Sequence, residues 1–110
     1  MKQEIMQEKE ELSLFLKALG DYPQLRVIDF LITFQLFDYP PTEIAKNSKV
    51  SFVTFQTFWP GIIEKGFVKE TRKIGNATLY KLNKKNPVIK KLIELDNIIC
   101  AEYRDKICKE

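Results

Sequence analysis

Between positions 65 and 91 the chain carries nine lysines and arginines against one acid, Glu70, although its formal net charge over 110 residues is only +3. The cations include Lys69, Arg72, Lys73, Lys81, Lys84 and Lys85, interleaved with β-forming and turn residues. Such a cluster holds no group that exchanges a proton near neutral pH. It makes a focused positive field, which suits a polyanion better than a small acidic substrate. The plainer reading of the same residues is a solvated, lysine-rich surface.

Residue types for other chemistry are missing or misplaced. There is no histidine, and Cys100 and Cys108 lack zinc-ligand spacing. No serine or cysteine sits in a nucleophile motif, and no carboxylate pair is tied to a visible site. No phosphate-binding fingerprint surrounds Gly75, which reads as a turn residue. The expectation is a non-enzyme without cofactor or metal. The cysteines read as reduced thiols of an intracellular protein, or as links between chains. An acidic N-terminus without a cleavable apolar segment, and the lack of an apolar run long enough for a bilayer, point to the cytoplasm and away from a membrane.

The elements that must position the cations follow from periodicity and punctuation. With 45% apolar residues, including eight Phe, four Tyr and one Trp, the chain can build one core. Residues 2–19 read as a helix, with Ile5, Leu12, Phe15, Leu16 and Leu19 at helical spacing and Gly20 as its stop. Asp21 and Pro23 start a second helix over residues 24–35, with Leu25, Ile28, Leu31 and Ile32 on its inner face. Residues 37–40 are extended, because Tyr39 precedes a proline. A third helix over 41–47 buries Ile44 and Ala45. After a turn at 48–50, Ser51 caps a fourth helix that reaches Lys65 and ends at Gly66.

In the fourth helix Phe55, Phe58 and Ile62 form the expected buried stripe, leaving Phe52, Val53, Gln56, Thr57 and Pro60 on other faces. Trp59 reads as core, with base stacking as the rival role, and Pro60 predicts a kink. Residues 67–71 and 78–82 read as strands flanking a loop at 72–77 that holds Gly75-Asn76. Asn86 and Pro87 open the last helix as cap and first-turn proline.

The predicted fold class is mainly α with a small β-hairpin: a winged helix-turn-helix with additional N- and C-terminal helices. Residues 1–20 form the first helix, 21–85 the winged helix-turn-helix and 86–110 the last helix. In that element order the third helix supports the fourth across a short turn, and the fourth offers its N-terminal half to a DNA major groove. Gln56, Thr57 and Ser51 are candidates for base or phosphate contact: Gln can pair with adenine N6 and N7, and Thr can bond a phosphate or touch a thymine methyl.

The stretch from Arg26 to Asp96 resembles archaeal winged helix-turn-helix regulators, within the broad set that includes MarR-like proteins. The carrying segments are residues 44–51, Phe58-Trp59-Pro60, the run from Ile62 to Val68, and Lys69-Glu70-Thr71-Arg72-Lys73-Ile74-Gly75-Asn76 leading into Leu79-Tyr80-Lys81-Leu82-Asn83. The resemblance implies a transcription regulator that binds double-stranded DNA, with Arg72 and Lys73 on phosphates or in the minor groove. Ser51, Phe52, Gln56, Thr57, Lys69, Asn76 and Lys81 complete the expected interface. The chain departs from the pattern at Lys49, where glycine is frequent, and at Phe52 and Thr57, where arginine is frequent. The wing must therefore supply most of the electrostatics. No small-molecule effector is indicated.

The last helix carries two apolar seams. One is Val88, Leu92, Leu95 and Ile99; the other is Ile89, Ile93, Cys100 and Tyr103. One seam against the domain and one against a second chain would make a homodimer, with Ile89, Ile93, Ile99, Cys100 and Tyr103 as expected interface residues. The rival arrangement covers both seams with the N-terminal helix of the same chain. Two further functions compete with the regulator: a protein-binding winged-helix module of a transcription complex, and a sequence-neutral architectural DNA binder.

Overall fold

The computed structural model describes residues 12–108, and side chains as far as residue 103. The order is α1 (Leu14–Leu19), α2 (Pro23–Thr33), α3 (Pro41–Asn47), α4 (Phe52–Glu64), β1 (Val68–Ile74), β2 (Ala77–Leu82) and α5 (Pro87–Cys108). Most of the expected helix at 2–19 lies outside the described residues. Within them, helix begins only at Leu14, because Ser13 is extended and its hydroxyl accepts from the Leu16 amide as an N-cap.

The core draws on nearly every element. Phe15, Val27, Leu31, Ile44, Phe55, Leu82 and Ile89 are its most deeply buried large side chains, drawn from all five helices and from β2. α1 packs along α5, and α2 packs on α1, α3 and α4. Each helix therefore has its apolar stripe covered by another, as its spacing requires.

The ends of α4 are closed by local chemistry. Ser51 accepts from the Thr54 amide at the start. At the finish, Gly66 takes φ +76°, its amide donates to the Ile63 carbonyl, and the Phe67 amide donates to the Ile62 carbonyl. That pair of bonds around a left-handed glycine is the Schellman arrangement. Asn86 reinforces it: its Nδ2 donates to the Lys65 and Gly66 carbonyls, while its Oδ1 accepts from the Val88 and Ile89 amides. One side chain thus finishes α4 and caps α5, fixing the two helices to each other.

The hairpin is longer than its residue types indicated. β1 and β2 pair antiparallel from Val68↔Leu82 to Ile74↔Ala77, so only Gly75 and Asn76 lie between the strands. Gly75 has φ +61° and Asn76 does not have a positive φ. A left-handed first residue alone matches the II′ hairpin turn, whose twist suits the flanking strands. A shift of register between Glu70 and Arg72 leaves Thr71 as an extra residue, a bulge in β1. Tyr39, in the extended segment after α2, exchanges both backbone hydrogen bonds with Tyr80 at 2.9 and 2.8 Å. This bridge sets a third, minimal strand beside β2.

Candidate nucleic-acid interface

The turn between α3 and α4 sets the angle of the helix that would enter a groove. Lys49 adopts φ +60° there, a left-handed conformation that a non-glycine residue resists by about 1–2 kcal/mol. Its neighbours hold it in place. Val50 is buried and its amide donates to the Ala45 carbonyl. The guanidinium of Arg26 donates to the Lys49 carbonyl at 2.9 Å and is itself gripped through two nitrogens by Asp21. The Arg26 hydrogen bond holds the Asp21 carboxyl below its ordinary pKa, so the clamp is charged at neutral pH. Ser48, at the same turn, is 6% exposed and its hydroxyl makes no hydrogen bond among the described residues.

α4 divides into two faces. Phe55, Trp59 and Ile62 are buried, and Phe58 packs against the core at its edge. The Phe55 ring stacks on Trp59 at 4.8 Å, and Trp59 meets Tyr80 edge-on at 5.3 Å. Trp59 is therefore a core residue that seats α4 on the sheet. The helix runs uninterrupted through Pro60.

The exposed face keeps Phe52, Val53, Gln56 and Thr57 in solvent, and no basic residue occurs between Phe52 and Glu64. Hydroxyls here are turned to local use. Ser51 Oγ donates to Thr54 Oγ1 besides accepting its amide, and Thr57 Oγ1 donates to the Thr54 carbonyl. Of the four expected readers on this helix, Gln56 alone retains a polar group that makes no hydrogen bond within the helix.

The wing carries the cations. Lys69 and Lys81 stand directly opposite each other in the ladder, so they share a face. Neither they nor Lys73 lies within salt-bridge distance of a carboxylate among the described residues. Like charges facing across a ladder destabilise it, so the hairpin tolerates a cost that an external anion would relieve. Lys73 and Asn76 are exposed towards the tip.

Arg72 differs from the other wing cations. Its Nε and Nη2 bond the two carboxylate oxygens of Asp38 at 2.9 and 3.1 Å, and the bulged Thr71 adds a hydroxyl bond to the same carboxylate at 2.6 Å. The arginine and Thr71 bonds hold Asp38 down to a pKa of about 2. Arg72, grouped by its sequence with the phosphate-contacting cations, is thus engaged within the fold as a bidentate pin between the wing and the segment before Tyr39. Its side chain nevertheless remains 61% exposed, against 15% for Asp38.

Along the last helix the expected interface residues are not equally exposed. Ile89 and Ile99 are buried in this chain's own core, at 0% and 3% exposure, and Ile93 packs against that core. The cause is α1, which lies along α5 and draws its inner face into the monomer. Cys100 is half-buried and Tyr103 exposed, and the helix turns Val88, Leu95 and Ile98 outward. Neither of the two seams drawn by spacing is therefore the outer one.

Sequence reasoning missed Asp38 and Arg26. They act across gaps of 34 and 23 residues, to Arg72 and Lys49, and leave no local signature.

No protein-family model matches the chain, and no curated protein matches it. Among solved structures it is similar to ZitR of Lactococcus lactis, a mutant in apo form, with TM-score 0.60 and 19% identity over 98% of this chain and 76% of that one. Three helices around a tight turn, a two-stranded wing with a bridging third strand, and a likeness spanning almost the whole chain identify its fold as the winged helix-turn-helix with an added helix at each end.

Proposed function

We propose that this chain is a transcription regulator of the MarR-like kind that binds double-stranded DNA as a homodimer. In this reading α4 enters the major groove and the wing lies on the phosphate backbone or in the minor groove. The observation that carries it is the facing pair Lys69 and Lys81, with Lys73 beyond them, none of them in an ion pair among the described residues, beside an exposed helix. Ser51 and Thr57 serve mainly to shape the helix, and Arg72 to hold the wing. Phe52, Gln56, the methyl of Thr57, Lys69, Lys73, Asn76 and Lys81 remain as contact residues. The amended dimer surface is the outer face of α5, at Val88, Leu95 and Ile98, with Tyr103 at its end. Paired readers of this kind suit two half-sites about one helical turn apart.

Fluorescence anisotropy with a random duplex pool across a salt series, followed by sequencing of the retained fraction, tests the reading. Binding that falls steeply with salt and enriches an inverted repeat is the expected result. Salt-sensitive binding without enrichment would replace the regulator by an architectural protein. The lack of basic residues on α4, together with exposed Leu36 and Phe37 in the loop after α2, favours a protein-binding winged helix as the second reading. Absence of DNA binding even at low salt would establish that alternative over the first.

A further inference from the structure

We propose that Val53, with Phe52 and the methyl of Thr57 beside it, reads thymine 5-methyl groups, so that the chain selects A·T pairs in the major groove. The proposal rests on the DNA-binding reading above and specifies its target.

Val53 is 76% exposed, the most exposed apolar side chain of α4, and its neighbour Phe52 is 41% exposed. Val53, Gln56 and Thr57 stand three and four residues apart and so share one strip of the helix surface. The side chains of this strip decide what it can distinguish. Guanine is read most often by arginine or lysine at O6 and N7, and α4 has neither. Cytosine offers an amino group to a carboxylate, and the sole acid of α4 is Glu64, its final residue, three turns from Val53. The hydroxyl of Thr57 is bonded to the Thr54 carbonyl, which leaves its methyl for outward contact.

What remains is one amide, matched to adenine N6 and N7, and a set of apolar groups, matched to the thymine methyl. The flanking charge fits the same occupant. An apolar reading strip alone would suit many surfaces, but here the adjoining wing presents Lys69, Lys73 and Lys81 in no ion pair among the described residues, as suits a polyphosphate partner. Sequence-independent attraction and methyl recognition are thus assigned to separate parts of one surface.

The test replaces thymine by deoxyuridine, position by position, in a duplex recovered from the random pool, which removes the methyl and leaves the base pair intact. Wild type is expected to lose about fourfold in affinity at each contacted methyl. Val53→Ala is expected to bind thymine and uracil duplexes alike at the position it reads, with an unchanged salt slope and thermal midpoint. Equal binding of both duplexes by wild type at every position, with binding itself intact, would overturn methyl reading and leave DNA binding standing. A recovered site rich in G·C pairs and indifferent to Val53→Ala would do the same. No binding to any duplex at low salt would remove the DNA reading and this inference with it.

Discussion

Replacing Lys69 and Lys81 together with alanine removes the two cations that face each other across the wing. If each neutralises one phosphate, the slope of log affinity against log salt should flatten by about 1.8, at roughly 0.9 per contact on B-form DNA. Raising salt fourfold, from about 50 to about 200 mM, should then weaken wild type about 12-fold more than the double variant. The assay is anisotropy titration of one fixed duplex at several salt concentrations, with a thermal melt of each protein alongside. The melt matters because the structure sets its direction: removing like charges placed opposite each other relieves repulsion in the hairpin. The variant should therefore melt no lower than wild type, and lost binding could not be ascribed to lost folding. Parallel salt plots for the two proteins would refute the reasoning and place the phosphate contacts elsewhere.

Three other perturbations follow from the same geometry. Asp38→Asn weakens the hold on Arg72, so binding to random duplex should tighten and its salt slope should steepen by about 1 as the freed guanidinium takes a phosphate; anisotropy reads both. Burial, and then the charge of Asp96, raise the Asp29 carboxyl above its ordinary value, against a hydrogen bond from Ser13 that lowers it. The folded chain therefore binds that proton more readily than the unfolded chain, and stability tied to this group is present below pH 3.8 and lost as pH rises through the folded value. Asp29→Asn should accordingly melt higher than wild type at neutral pH, with the difference vanishing in acid below that ordinary value, as thermal melts across pH would record. Ser48→Ala removes a buried hydroxyl that has no hydrogen-bond partner among the described residues and should stabilise the fold by about 1 kcal/mol, a rise of several degrees in the thermal midpoint.

The element order was legible because it depends on short-range rules. Ser51 as a cap, Gly66 as a stop, Asn86-Pro87 as a start and the apolar spacing of α2 and α4 each act within a turn or two of helix, where neighbouring residue types suffice. The uneven charge was equally plain, being a property of position along the chain. Hairpin length was not: the strands extend through Ile74 and Ala77 because pairing across the ladder favoured a two-residue turn over the wider loop suggested by residue types.

The sequence by itself determined the order of helices and strands, that Trp59 and Phe55 belong inside, and that the wing is cationic. Tertiary structure alone decided which of those cations is paired. Arg72 and Lys73 are adjacent and alike in sequence, yet Asp38 folds back to engage the first and leaves the second in solvent. It also decided the outer face of α5, since a helix with apolar residues on several sides has no outside until α1 is laid along it. Ion pairing and helix packing depend on separations of a few ångströms between residues distant along the chain, and local spacing carries no record of them.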